Sequence, residues 1–304
     1  MGKIDYVLTE EKKLIFKKLL EITKEFDRVC SENNLNYTLE GGTLIGAIRE
    51  GGFIPWDDDV DILMPRADFD KLCKLAEEGV FKAPFVFENA GNTKGCPRMI
   101  SKLRDISTTS ISYDDTYMKI HHGMFIDIQA VDNFPDDLSL RTKQIKELKL
   151  ITKLAGGYAR YVAGVGLKEK SLKKKILYIA LYPLYATGII TSKKMFKKFN
   201  EVSTRYNNVP CKEITGYPWL IYAENFHFPT KCMTDGYTTH KFEGIDFKII
   251  KEYDLFLTTI FNDYMTPVQA PAGHSGLIQL PNVPYEKYFK EHAKEIEQKW
   301  FETM

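Results

Sequence analysis

Cysteine is scarce in this 304-residue chain and badly placed for cross-linking. The five, Cys30, Cys73, Cys96, Cys211 and Cys232, are odd in number, far apart and contain no C-x-x-C pair. That argues against a disulfide framework and fits a reducing compartment. The first residues, MGKIDYVLTEEKK, have no apolar core of a secretory leader, and Tyr6 stands where a myristoylation motif needs Ser or Thr, so a cytoplasmic protein is expected. There is no internal repeat and no low-complexity linker. The apolar stretch from Ile176 to Ile190 is short and interrupted by Pro183, which argues against a membrane span. A net excess of charge is also missing, at +1 overall. What remains is ordinary globular composition, 44% apolar and 13% aromatic, enough for one large core or a core plus a subdomain.

The balanced total hides a partition. From Arg141 to Lys198, fifteen Lys or Arg face two acids, so this segment carries +13 and the rest of the chain −12. Elsewhere, Thr9 is placed to cap a helix with apolar residues at Leu14, Ile15, Leu19, Ile22 and Phe26. NYTLEGGTL reads as a strand entering a glycine turn, and DVDILM, FVFEN, RMISKLRD and GMFIDIQAV read as strands. DFDKLCKLAEEG reads as a helix stopped by Gly79, and Lys-rich helices run from Pro135 to about Asn208. KFEGIDFKII returns to strand or loop, a helix follows in EYDLFLTTIFNDYM, and another spans Lys287 to Phe301. The expected fold class is α+β: a mixed sheet with flanking helices in a core over residues 1–135, a basic helical insertion at 136–205, and the rest of the core at 206–304.

The densest chemistry lies in GGTLIGAIREGGFIPWDDDVDIL, residues 41–63. If DVDILM is a strand, Asp59 and Asp61 leave one face while Val60, Ile62 and Met64 leave the other. Two adjacent carboxylates repel, and partial burial between FIPW and VDILM raises that cost, unless a divalent cation neutralises both. Mg²⁺ is the natural ion, with Mn²⁺ as the alternative, because it takes one or two carboxylates together with phosphate oxygens. An EF-hand is excluded by spacing: counted from Asp57, the sixth position is Ile62 where Gly is required, and the twelfth is Asp68 rather than Glu. Gly41, Gly42 and Thr43 follow an apolar strand and can bring backbone N–H groups and a hydroxyl close to a phosphate. Asp127, interrupting an apolar strand, is the third carboxylate expected for metal-assisted phosphoryl transfer. Cys211, His227 and Cys232 lack the paired spacing of a structural zinc site, and His121-His122 reads as a neutral structural pair.

The stretch GGTLIGAIREGGFIPWDDDVDILMPRADFDKL resembles the signature of the LicD family of phosphocholine and phosphopolyol transferases, to which the fukutin-like proteins belong. The likeness extends to RMISKLRD, to GMFIDIQAVD and to FEG…YDLFL…YM…P, over roughly residues 10 to 268. The resemblance implies a nucleotidyltransferase-like fold with Asp59, Asp61 and Asp127 as a catalytic and metal-binding triad. It further implies a CDP-alcohol donor, CDP-choline first, whose phospho-alcohol passes to a hydroxyl of a lipid-linked glycan or teichoic acid precursor with loss of CMP. Gly41, Gly42 and Thr43 would then hold phosphates, and Arg49, Lys102 and Arg104 would offset charge on the departing CMP. Trp56, with Tyr113 and Tyr117, is the available aromatic material for a choline cage. Two departures stand out. Glu50 occupies a position where the family usually has His, and PVQAPAGHSGLIQLP departs from the family's charged sequence.

Alternatives stay open at this stage: transfer of ribitol or glycerol phosphate, nucleotidyl transfer releasing pyrophosphate, and a non-catalytic nucleotide-binding scaffold. The basic segment can serve as a solvated face or as a peripheral contact with an anionic membrane at its inner face. Its Lys clusters lack interleaved base-stacking aromatics, which speaks against a nucleic-acid partner.

Overall fold

In the computed structural model, which describes residues 7–168, 170–268 and 277–303, the Thr9 hydroxyl accepts the Lys12 N–H at 3.1 Å and starts helix α1 (Glu10–Glu32). Of the expected stripe the helix buries Ile15, Leu19, Ile22 and Phe26, while Leu14 is exposed and Phe16 is buried beside them. It is followed by β1 (Thr38–Glu40), α2 (Gly41–Arg49), β2 (Asp61–Pro65), α3 (Arg66–Glu77), β3 (Phe85–Glu88), β4 (Ser101–Asp105), β5 (Thr109–Ile111) and β6 (Met124–Phe134). The basic segment forms α4 (Leu138–Ala163), α5 (Leu172–Ala186) and α6 (Ser192–Ser203). Then come β7 (Glu213–Thr215), α7 (Tyr217–Leu220), β8 (Phe228–Pro229), α8 (Lys231–Thr234), β9 (Tyr237–Phe242), β10 (Ile245–Ile250), α9 (Tyr253–Phe261), β11 (Ile278–Leu280), α10 (Tyr285–Glu291) and α11 (Ala293–Thr303).

The main sheet runs β1-β2-β6-β4-β3 and is mixed: β2 and β6 are parallel, and the other pairs in this row are antiparallel. The far end of β6 also pairs with β7, which pairs with β8, so residues beyond the basic segment complete the sheet begun before it. The class is α+β, as the sequence pattern indicates. On the inner side, Leu148, Ile151 and Ala155 of α4 and Phe199 and Val202 of α6 share the main core with the sheet. A smaller cluster around Tyr158, Tyr185 and Ile190 holds the outer part of the basic segment.

Three local expectations change. The glycine pair opens a helix rather than a turn: Gly41, at φ +55°, makes the corner from β1, and the chain winds immediately into α2. Asp59 precedes β2, because β1 ends at Glu40 opposite Asp61 and leaves the chain before it no neighbour on that side. The C-terminal helical stretch is two helices, α10 and α11, with His292 between them.

Candidate active site

Strand register builds the centre of the site. Glu40 on β1 faces Asp61 on β2, Asp61 faces Asp127 on β6, Asp127 faces Lys102 on β4, and Lys102 faces Glu88 on β3. Directly opposed residues share a face, so five charged side chains stand in one row across the sheet. The 57–59 turn adds more negative charge: the carboxylates of Asp57, Asp58 and Asp59 each bring an oxygen within 4.8 Å of the others. Lys12 of α1 reaches the same cluster, where the three carboxylates oppose the lowering of its pKa by burial.

Two contacts tie the glycine segment to this row. The Thr43 hydroxyl accepts the Asp61 N–H at 3.0 Å, locking the start of α2 onto the start of β2. A Cβ on Gly42 would lie 2.4 Å from Asp57 Oδ2, so the carboxylate occupies the space that a side chain would need. Gly42 and Thr43 therefore shape the carboxylate cluster directly.

The cluster is held against its own repulsion. Burial and the charges of Asp59 and Asp127 push the Glu40 carboxyl up to about 8. Burial and Asp59 push Asp57 up to about 7. Asp61 is raised well above the usual carboxylate range by burial and by Asp59, Glu40 and Asp127. Glu40 Oε2 and Asp61 Oδ1 are buried with no hydrogen-bond partner among the described residues. An all-oxygen donor set with uncompensated buried lone pairs fits a hard divalent cation such as Mg²⁺. The Asp59, Asp61 and Asp127 set expected from sequence is thus embedded in a larger group that includes Glu40 and Asp57.

Asp127 is different, because Lys102 Nζ donates to its Oδ1 at 2.5 Å. Burial lowers the Lys102 pKa to about 8, with Arg98 and Arg104 adding to the fall and Asp127 opposing it. Arg104 Nε donates to Glu88 Oε1 at 3.0 Å and Nη1 to the Gly123 carbonyl at 2.9 Å. Burial pushes the Glu88 carboxyl up, but hydrogen bonds from His121 and the charge of Arg104 prevail and bring it to about 2. Along the row, carboxylates at Glu40, Asp61 and Asp127 give way to the cation of Lys102, and Arg104, two residues further on β4, adds a second cation that pairs with Glu88 at the end of the row.

Three cavities follow the same order. One of about 550 Å³ is lined by Glu40, Gly42, Asp57, Asp59 and Asp61 on one side and Trp219, Phe226 and Phe261 on the other. A smaller one of about 190 Å³ joins Trp219 to Asp127, Lys102 and Arg98. A third of about 410 Å³ continues past Arg98, Lys102 and Arg104 to Ser110 and His122. Gln279 of β11 donates to the Asp58 carbonyl at 3.1 Å, so the C-terminal segment rests on the acidic turn. Residues 269–276 of the segment that departs from the family's charged sequence lie outside the described residues.

Several expected site residues are engaged elsewhere. Arg49 donates to the Tyr264 carbonyl at 2.8 Å and pairs with Glu50 at 2.7 Å, a structural tie at the end of α2. Trp56 packs against the main core, Tyr113 donates to Glu295, and Tyr117 lies against Trp300, so none of these three lines the large cavity. His122 is buried beside Phe289, and burial together with Arg104 lowers its pKa to about 4. His121 serves Glu88.

Sequence reasoning missed Glu40, Asp57, Arg98 and Trp219. A signal existed for Glu40, which closes an apolar strand as a lone carboxylate in the same way that Asp127 interrupts one. None existed for Trp219, which is brought to the site by tertiary folding from more than ninety residues beyond Asp127.

Comparison with protein families matches residues 34–154 to the LicD/FKTN/FKRP nucleotidyltransferase domain. Among individual proteins, the chain is 26% identical over 251 residues to the lipopolysaccharide cholinephosphotransferase LicD of Haemophilus influenzae, covering 81% of this chain and 88% of that one. A short stretch of 57 residues is 44% identical to an uncharacterized protein of Rickettsia typhi, 19% of this chain and 18% of that one. Residues 34–154, the stretch that matches the LicD/FKTN/FKRP domain, contain every carboxylate of the site together with Lys102 and Arg104.

Proposed function

We propose that this protein is a transferase that moves a phospho-alcohol, phosphocholine first, from a CDP donor to a hydroxyl of a cell-surface glycan or teichoic acid precursor, releasing CMP. The observation that carries this reading is the sign change along one sheet face. Carboxylates suited to a cation at Glu40, Asp57, Asp59 and Asp61 meet cations suited to phosphate at Lys102 and Arg104, with Asp127 between them. The similarity to a cholinephosphotransferase over most of the chain supports phosphocholine as the group moved.

A bound Mg²⁺ or Mn²⁺, held by Asp57, Asp59 and Asp61, would draw charge from diphosphate oxygens. The protein's own groups do the rest. Asp127, held through Oδ1 by Lys102, accepts the acceptor hydroxyl proton on its other oxygen. The hydroxyl oxygen forms its bond to the β-phosphorus as the bond from that phosphorus to the bridging oxygen breaks, and CMP leaves with the electron pair. Lys102, Arg98 and Arg104 offset the charge that CMP gains. Trp219, Phe226 and Phe261 give the large cavity an aromatic wall for a quaternary ammonium, which cannot be hydrogen-bonded. Such an enzyme would work on the cytoplasmic side of the membrane, on an acceptor carried by lipid.

A second reading has support from the family description, which names a nucleotidyltransferase domain: attack at the α-phosphorus of CTP with release of pyrophosphate. Incubation with CDP-choline, CDP-ribitol, CDP-glycerol and CTP, each with a lipid-linked oligosaccharide and Mg²⁺, separates the two. CMP from a CDP-alcohol supports the first reading and pyrophosphate from CTP the second. Binding of CDP-alcohols with no turnover of any donor would sink both and leave a nucleotide-binding scaffold.

A further inference from the structure

Helix α5 presents its apolar side to solvent. Tyr178, Leu181, Leu184 and Tyr185 face inward and pack with Tyr158, Tyr161 and Val162. At 100° per residue the opposite face carries Leu172, Ile176, Ile179 and Pro183, flanked by Ala180 and Ala186, and all six are exposed. The exposure is large: 70% for Leu172, 58% for Ile176 and 56% for Ile179. Leu167 before the helix and Ile189 after it are exposed as well. A contiguous apolar surface of this kind marks an interaction site rather than ordinary scatter of surface side chains.

The charge around it selects the occupant. From Ser171 to Lys198 there is no acidic residue and there are seven lysines, Lys173–Lys175 in the first turn of α5 and Lys193, Lys194, Lys197 and Lys198 on α6. Lys194 Nζ donates to the Gly188 carbonyl at 2.6 Å, which fixes one cation just past the end of α5. A second copy pairing α5 antiparallel on this stripe would bring the basic end of each helix against the basic flank of the other. A nucleic acid would match the lysines but leave the apolar stripe in water. Among the described residues no helix is long and apolar enough to cross a membrane. An apolar stripe with cations at both ends and Tyr182 at its edge is the composition of an element lying in a lipid headgroup layer.

We infer that the outward face of α5, with its two lysine clusters, is a docking surface for an anionic phospholipid bilayer, entered in the interface plane. Leu172, Ile176 and Ile179 dip into the acyl boundary while Lys173, Lys175, Lys193 and Lys197 meet lipid phosphates. The inference does not depend on the catalytic reading, and its test uses no turnover measurement.

The full-length protein is sedimented with vesicles of phosphatidylcholine alone and of phosphatidylcholine mixed with phosphatidylglycerol. Binding is expected to the mixed vesicles only, reversed by salt. The double substitution Ile176→Ser/Ile179→Ser and the triple substitution Lys173→Gln/Lys174→Gln/Lys175→Gln are each expected to weaken it by about tenfold or more. Unchanged melting temperatures show that the variants stay folded, because the substituted side chains lie on the surface. The inference is overturned by absence of wild-type binding, by equal binding to both vesicle types, or by variants that bind as wild type does. It is also overturned by a dimer in solution that Ile176→Ser/Ile179→Ser dissociates, which would identify the stripe as a self-association surface.

Discussion

Asp61 and Asp127 are register partners on the parallel strands β2 and β6, so two acidic side chains leave the same sheet face side by side. Only Asp127 has a cation on it, from Lys102, whereas Asp61 Oδ1 is buried without a partner among the described residues. Asp61→Asn is therefore expected to lower turnover by about two orders of magnitude, as loss of a metal-organising group does. The same variant should melt no lower than wild type without metal, because it removes one member of a mutually repelling group. Steady-state kinetics beside thermal melts check both halves. Near-normal activity would remove Asp61 from the metal site.

The raised carboxyls set a pH dependence whose sign is opposite to that of an ordinary salt-bridged acid. Glu40 at about 8 and Asp57 at about 7 hold protons more tightly in the folded chain than in the unfolded one. Their contribution is complete below the ordinary carboxylate range and is lost as pH rises through about 8. His122, neutral down to about 4, acts only below its ordinary value of 6.5. Between pH 6.5 and 8, metal-free protein should lose a few degrees of melting temperature, and the stabilisation given by Mg²⁺ should grow over the same interval, because the cation competes with protons for these oxygens. A Mg²⁺ effect that is flat with pH would contradict this.

Gly42→Ala tests the geometry of the acidic turn. The added Cβ would sit 2.4 Å from Asp57 Oδ2, so the carboxylate has to move. Turnover should fall about tenfold or more, in keeping with the sensitivity of catalysis to misplacement of this order. The far-ultraviolet circular dichroism should not change. Wild-type Mg²⁺ affinity in this variant would mean that Asp57 takes no part in binding.

Lys102→Met removes the cation paired with Asp127 and leaves a buried carboxylate uncompensated. A loss of about 3–5 kcal/mol in urea unfolding is expected. Adding Asp127→Asn to it should recover more than half of that stability while leaving activity absent. A double variant no more stable than the single one would show that the pair is not coupled.

Trp219→Leu separates donors. With the aromatic wall weakened, KM for CDP-choline should rise about tenfold, the scale of a desolvated cation–π contact, while KM for CDP-glycerol changes little. Equal changes for both donors would assign Trp219 to packing alone.

The sequence by itself determined much of this protein, wherever the signal is local. Thr9 with its apolar residues at helical spacing indicates α1, the apolar segments DVDILM and GMFIDIQAV indicate β2 and β6 to within three residues, and the run of lysines marks α4 to α6. The pattern of carboxylates set into apolar strands singles out Asp59, Asp61 and Asp127, because burial of an unpaired charge is costly, and the structure places Asp61 and Asp127 within strands and Asp59 just before one. Tertiary structure alone decided the rest. That Lys102, rather than another acid or a solvent-facing residue, stands opposite Asp127 follows from antiparallel pairing of β4 with β6, a register no local pattern encodes. That Glu40 joins the row depends on β1 pairing with β2. The aromatic wall at Trp219, Phe226 and Phe261 comes from segments distant in the chain, and Leu172, Ile176 and Ile179 of α5 point outward because Tyr178, Leu181, Leu184 and Tyr185 on its other side pack against α4. Local periodicity reports which side chains share a face, but only the pairing of strands and helices fixes what that face meets.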